Sequence, residues 1–458
     1  MKRVVILGAG ISGLATEYFL KQEPSVIVSG YEKNPYHGGH AFSWKEKEAI
    51  WDEGPHVFFG KMNDVEPFFD FSIDAEQPAT VLNFADGDWI PHPIYVNLFA
   101  LPENRKSEMT TSLLGASAQH EKNHLDSRQD YGSWLIGAYG ETFSKNYPMK
   151  YTRKYWRVEP KSMSTDWIGE RMFAPSELEI LEGAKGAQLL HYIKKFRYPK
   201  KGGYSKYFAK SISNSNFKLN SRITGINLDQ KIIQIGAENV DYDFLVSTIP
   251  LTSFINLLLE VPSEIRVASQ NLQCTSLLLV NLQIESTVEP YFHWAYVHDE
   301  ELFSTRITNY TNLGIGNQND KTSYLQVEVY ETADQPFRTT HEEVANAVEN
   351  ELREIGLIRA GARVSKTFHY SAHANVIFTH SRGRSLKLIF DYLEEFGLGR
   401  DVNENSPNFV PRTLGNTNPG QELFLTGRFA QWNYYWTHDC VKRAREVSRD
   451  IVKQLRVQ

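Results

Sequence analysis

Near its start the chain runs VVILGAGISGLATEYFL, a buried-strand pattern at Val4–Leu7 that breaks into Gly8, Gly10 and Gly13 and continues as a helical pattern from Leu14 to Lys21. A second strand is expected at Ser25–Tyr31, with Glu32 closing it. Glycines at these positions allow a tight turn, a close approach of backbone to a pyrophosphate and close helix packing, while the helix N-terminus faces the anion. An acid at the end of the second strand accepts the ribose hydroxyls of an adenosine half and repels a ribose phosphate, which favours FAD or NAD over NADP. Turn glycines also occur for backbone reasons alone. Here the strand before, the helix after and the acid beyond agree on a dinucleotide.

The 458-residue length favours two or more lobes over a single core. With 41% hydrophobic and 23% charged residues the chain reads as globular, not disordered. A net charge of −6 without a long basic block argues against a nucleic-acid partner. Cys274 and Cys440 are too few for a disulfide framework or a cysteine-based metal site, so no metal is expected and a reducing compartment fits. The run before Gly8 is too short for a signal peptide, and no apolar stretch reaches the roughly 18 residues of a membrane span. A cytoplasmic location without an integral membrane segment is the expectation. Without repeats or a flexible linker, lobes must be divided by tight crossings of the chain.

A second glycine pair follows directly in KNPYHGGHAFSW, with Gly38 and Gly39, and then WDEGPHVFFG carries Gly54 and His56. Near the other end, ELFLTGRFAQWNYYWTHDCVKRAREV reads as a strand through Thr426, a turn at Gly427, an aromatic loop and a helix opening near His438. Together these motifs resemble the superfamily of amine oxidases, protoporphyrinogen oxidases and UDP-galactopyranose mutases. The resemblance implies FAD in an extended form, its adenine end at Gly8, Gly10, Gly13 and Glu32 and its isoalloxazine near Gly38, Gly39 and His56. It also implies that Gly427, Arg428 and Asp439 line the cofactor, where the positive end of the last helix suits a reduced flavin.

The implied fold class is α/β: a Rossmann-like FAD-binding domain of the glutathione reductase type with a discontinuous mixed α+β substrate lobe. The segment KLNSRITGINLDQKIIQIGAENVDYDFLVSTIP alternates as a small β-meander and ends in a buried strand at Phe244–Thr248 before Pro250. The FAD lobe is therefore expected at 1–80, 195–255 and 410–458. The substrate lobe takes 81–194, largely helical from about 95 to 190, and the mixed region 256–409.

Within that lobe, DWIPHPIYVNLFALPEN, NYPMKYTRKYWRVEPKSMSTDWIGERMFAP, FRYPKKGGYSKYF and FSTRITNYTNLG resemble nucleotide-sugar mutase segments, the second as a helix pair. The resemblance implies a small-molecule substrate, a nucleotide sugar of the kind used in polysaccharide biosynthesis, bound by Tyr95, Trp156, Arg171, Arg306, Tyr434 and Tyr435. It further implies NAD(P)H or another electron donor, and reduced flavin acting as the nucleophile at the anomeric carbon with His56 and Arg306 in catalytic roles. Arginines for phosphates and tyrosines for sugar oxygens suit such a pocket, although single arginines mostly pair and single tyrosines mostly pack. Asn375 and Val376 stand where the mutases carry a tyrosine before a proline, Ile94 where an aromatic would face uracil, and Asn433 where some members hold a base. These departures point to a sugar nucleotide other than UDP-galactose. The alternative is an amine oxidase or protoporphyrinogen oxidase-like enzyme, and a second alternative a noncatalytic flavoprotein.

Overall fold

The computed structural model describes residues 1–120, 130–168, 172, 174–187, 194–315, 321–399 and 420–457. Its first layer is a four-stranded parallel sheet built from both ends and the middle of the chain. The strand order is Leu423–Leu425, Phe244–Ser247, Lys2–Leu7 and Val26–Tyr31. Val4 to Leu7 and Phe244 to Val246 are buried, as continuous apolar runs in a parallel sheet covered on both faces must be. The helices Ile11–Leu20 and Thr437–Val457 pack against each other beside the sheet. The expected meander appears as Ile223–Asn227, Ile232–Ile235 and Glu238–Asp241, all antiparallel.

The second body is a seven-stranded sheet ordered Val364–Ser371, Ser276–Ile284, Ser323–Glu331, Arg306–Asn309, Trp294–Val297, Val81–Ala85 and Asp88–Pro91. Only Trp294–Val297 pairs in parallel, with Val81–Ala85. Helices Glu103–His120, Tyr131–Tyr139, Glu141–Asn146, Pro148–Tyr155 and Glu177–Lys185 form the helical part. The pair Asp74–Pro78 and Lys195–Pro199 carries the chain between the bodies.

Two local expectations change. The first helix begins at Ile11 with Gly10 as its N-cap, so Gly13 lies inside the helix rather than in the turn. The segment Asn146–Pro175, expected as a helix pair, holds among its described residues one helix, Pro148–Tyr155, followed by a 3-10 turn at Pro160–Ser162. The helix stops because Arg157 adopts a left-handed backbone (φ 57°), a conformation incompatible with helix continuation.

Candidate active site and cofactor cradle

The glycines bring two loops together at the carboxyl ends of the parallel strands, where open α/β sheets bind their ligands. Gly38 N–H donates to the Ala9 carbonyl at 2.8 Å, and Gly10 bridges to Gly38. A Cβ on Gly39 would stand 3.0 Å from the Gly10 Cα, and one on Gly13 would meet the Gly8 carbonyl oxygen at 2.0 Å. Side chains at either position would block the loops from closing. Gly427 (φ 116°) passes the first helix so closely that a Cβ would lie 2.8 Å from Ser12 Oγ.

Glu32 is buried, and its carboxylate accepts N–H groups of Ala9 and Asn34, both at 2.8 Å. A carboxylate has about four lone-pair sites, which leaves acceptor capacity for ribose hydroxyls. At the ends of two parallel strands the hydroxyls of Ser247 and Thr426 are buried without a hydrogen-bond partner among the described residues. A glycine cradle, an acid at the second strand and orphaned hydroxyls at the strand ends fit a bound dinucleotide.

Between this cradle and the seven-stranded sheet lies a cavity of ≈ 210 Å³. His40, Glu53 and His56 reach it from the glycine-loop side, Arg306, Glu328 and Tyr330 from the sheet, and Arg428 and Tyr434 from the C-terminal loop. His56 Nδ1 hydrogen-bonds the Gly54 carbonyl at 3.1 Å. Burial, followed by the nearby Arg428 charge, pushes its pKa down to about 4, so the imidazole is neutral at neutral pH. Arg428 Nε donates to the Tyr435 carbonyl at 2.7 Å, and among the described residues no carboxylate pairs with its guanidinium.

Arg306 also lines the cavity, but its fork is occupied. Nε and Nη2 donate to Glu328 at 2.9 and 2.6 Å, and Tyr330 donates a third hydrogen bond to that carboxylate at 2.6 Å. Burial works against the Arg306 charge, yet Glu328 holds its pKa well above the usual guanidinium value. The pair is therefore a neutral donor–acceptor unit rather than a bare cation.

The remaining expected site residues divide. Tyr434 lines the cavity, whereas Tyr435 does not. Tyr95 stacks on Tyr139 with centroids 5.3 Å apart, away from the cavity lining. Trp156 is 7% exposed in an aromatic cluster with Tyr155 and Trp167, also outside the lining. Asp439 accepts the Trp436 N–H at 2.8 Å and so caps the last helix. Arg171 lies outside the described residues.

Several lining residues escaped the motif reading, among them His40, Glu53, Tyr155, Tyr296, Glu328 and Tyr330. One signal was present: in SYLQVEVYE, Gln326, Glu328 and Tyr330 place polar groups on one face of a fully buried strand. Asn375 lies here too. Its Oδ1 accepts the Tyr155 hydroxyl at 2.9 Å, while its Nδ2 is buried without a partner among the described residues.

The family model for flavin-containing amine oxidoreductases matches residues 170–452. The chain belongs to that family. A model for NAD(P)-binding Rossmann-like domains matches residues 6–71, covering the first glycine loop. As a member of the flavin-containing family the protein is a flavin-dependent enzyme with FAD as its cofactor. Its fold is similar to that of reduced UDP-galactopyranose mutase, with a TM-score of 0.84 at 19% identity over 99% of this chain and 94% of that one. A putative protoporphyrinogen oxidase from Exiguobacterium gives a TM-score of 0.74 at 17% identity, covering 99% of both chains. Cyclohexylamine oxidase from Brevibacterium oxydans gives 0.66 at 15%, again over 99% of both. In sequence, coproporphyrinogen III oxidase of Staphylococcus aureus is 38% identical over 61 residues, a stretch spanning 13% of each chain. Among the described residues of this flavin-dependent family member, no helix is long and apolar enough to cross a membrane.

Proposed function

We propose that the protein is a mutase-like flavoenzyme that rearranges the sugar ring of a nucleotide sugar without net oxidation. The observation that carries this reading is the chemistry of the cavity wall. Four tyrosines (155, 296, 330 and 434), Asn375, Arg428 and the Arg306–Glu328 unit surround a space of ≈ 210 Å³. Hydroxyls and amides at that density suit a polyhydroxylated ligand, whereas an amine substrate calls for a more apolar pocket.

When bound, reduced FAD would supply an electron pair for the anomeric carbon. The chain does the rest. Glu32 would hold the adenosine ribose, and the glycine loops would admit the pyrophosphate. Neutral His56, tied to the Gly54 carbonyl, keeps one nitrogen directed for hydrogen bonding without adding charge. Arg428 contributes positive charge toward phosphate or reduced flavin. Arg306 and Glu328, donor and acceptor in one unit, orient sugar hydroxyls, with Tyr434 beside them. Arg171 remains a proposed phosphate contact, and Tyr95, Trp156 and Tyr435 are proposed to act through the packing around the cavity. The same reading assigns 1–80, 195–255 and 410–458 to the FAD lobe and the rest to the substrate lobe.

A second reading is an oxidase. It is favoured by the aromatic side of the cavity, where Phe59 packs on Trp294 and Trp436 with centroids 6.2 and 5.5 Å away. One experiment separates the two. The enzyme is reduced with dithionite without oxygen, given a panel of nucleotide sugars, and the mixture is resolved by chromatography for pyranose–furanose interconversion. In parallel, oxidised enzyme is given amines and porphyrinogens and assayed for peroxide. Interconversion by the reduced form supports the mutase reading; peroxide release with no sugar product replaces it with the oxidase.

A further inference from the structure

The cavity wall carries an imidazole–carboxylate pair to which the proposed function gives no role. His40 directly follows the second glycine pair, and its Nδ1 stands 2.7 Å from Glu53 Oε1. Glu53 follows the strand Ala49–Asp52, and its side chain is only 7% exposed. A carboxylate so placed is costly unless it is paired. Burial on its own would raise its pKa, but His40, Ser371 and His369 together bring it down to about 2. The group is therefore an anion across the working pH range.

An anionic acceptor at Nδ1 selects the Nδ1–H tautomer of a neutral imidazole and leaves Nε2 as the basic nitrogen. The His40 side chain is 43% exposed, lines the cavity, and lies against Phe429 at 5.5 Å between ring centroids. The titratable and charged groups around it are Glu53, His56 and His373, with His369 3.9 Å from the other Glu53 oxygen and Arg428 and Lys33 next to the neighbouring histidines. Of the three cavity histidines, His40 is the one hydrogen-bonded to a carboxylate among the described residues.

We propose that His40 is the proton-transfer group of this cavity and that Glu53 is its positioning residue. The proposal rests on the sugar-ring reading given above. When the ring C–O bond breaks, its oxygen leaves with a proton from the His40 imidazolium. When another hydroxyl closes on the anomeric carbon, its proton returns to Nε2. One proton is given and one recovered, and no electrons pass through the pair. Glu53 stabilises the imidazolium and keeps the ring turned toward the cavity.

The test uses the FAD-loaded full chain and the variants His40→Asn, Glu53→Gln and Glu53→Asp. Each is measured for FAD content, nucleotide-sugar affinity, turnover against pH, and imidazole tautomer by nitrogen NMR. His40→Asn is expected to keep its FAD, to hold sugar affinity within about threefold, and to lose turnover by about 100-fold or more, the usual scale for a positioned acid–base group. Glu53→Gln is expected to mix the His40 tautomers and displace the pH profile, and Glu53→Asp to restore part of both. An active wild type with full turnover in His40→Asn, or an unchanged tautomer and pH profile in Glu53→Gln, overturns the proposal. If Glu53→Gln does not fold, as FAD content and circular dichroism will report, His40→Asn decides alone. A wild type that converts no nucleotide sugar overturns the sugar-ring reading instead, and is told apart from failure of the pair by that control.

Discussion

Arg306 and Glu328 sit directly opposite each other on neighbouring antiparallel strands and are joined by two parallel hydrogen bonds of 2.9 and 2.6 Å. The carboxylate side chain is 1% exposed and the guanidinium side chain 21%. Cross-strand placement fixes the fork geometry before any ligand arrives, so the unit is rigid as well as neutral.

Removing one partner strands the other. Arg306→Ala is expected to lower stability by about 3–5 kcal/mol, because it leaves an uncompensated buried carboxylate. Urea unfolding would measure the loss. FAD content should survive in the folded fraction, and sugar affinity should fall. Loss of flavin with intact sugar binding would place Arg306 with the cofactor instead.

The glycine loops make a sharper contrast. A Cβ on Gly13 would lie 2.0 Å from the Gly8 carbonyl oxygen, whereas one on Gly10 would find only the Gly39 Cα at 3.9 Å. Gly13→Ala should therefore fail to fold or lose FAD entirely. Gly10→Ala should fold with normal thermal stability and show weakened FAD retention, since its methyl would intrude on the proposed pyrophosphate approach alone. Visible absorbance after desalting, together with a melting curve, distinguishes the two.

Glu32 tests the adenosine end. Glu32→Ala leaves the N–H groups of Ala9 and Asn34 without their acceptor and removes the proposed ribose contact. Hydrogen bonds to a charged group contribute about 1.5–3 kcal/mol each, so FAD affinity is expected to fall by about tenfold or more. Fluorescence titration with FAD gives the number, and unchanged affinity would refute the ribose role.

Acid should destabilise the protein before most carboxylates titrate. Burial pushes the pKa values of His56, His293, His298 and His373 down to about 4 from 6.5. Between those values the unfolded chain binds the extra protons, so stability is lost as pH falls. Asp52 works in the opposite sense. Burial raises its pKa to about 6 from 3.8, against hydrogen bonds from Ser43, Tyr198 and the Tyr204 N–H, so the folded state holds the extra proton and its contribution is lost as pH rises through about 6. Four histidines outweigh one acid. Urea midpoints measured from about pH 7 down to about pH 4 should fall, and should fall more steeply in Asp52→Asn. A flat profile would contradict the burial of the four imidazoles.

The strand–turn–helix–strand unit at the N-terminus was legible in the sequence because its determinants are local. Gly8, Gly10 and Gly13 lie in one turn and helix start, and strand periodicity brackets them. The cavity was legible only in outline. Arg306 and Tyr434 stand out by residue type, but Glu328, which neutralises the arginine, reads as one more polar residue in an alternating strand. Tyr434 and Tyr435 are adjacent and look equivalent, yet only the first lines the cavity. Tyr95 and Trp156 have the right chemistry for a sugar and are held in aromatic packing instead.

By itself the sequence determined the first glycine turn, the strands on either side of it and the parallel strand that closes near Pro250, since each follows from glycine geometry or from apolar runs a few residues long. Tertiary structure decided which charges meet. His40 and Glu53 come together across a hairpin, Arg306 and Glu328 across two strands, and Arg428 donates to the Tyr435 carbonyl because the C-terminal loop folds back on itself. Whether a charged side chain serves as a clamp, a neutral pair or a proton carrier depends on the neighbour within about 3 Å, and strand register and loop closure set that neighbour.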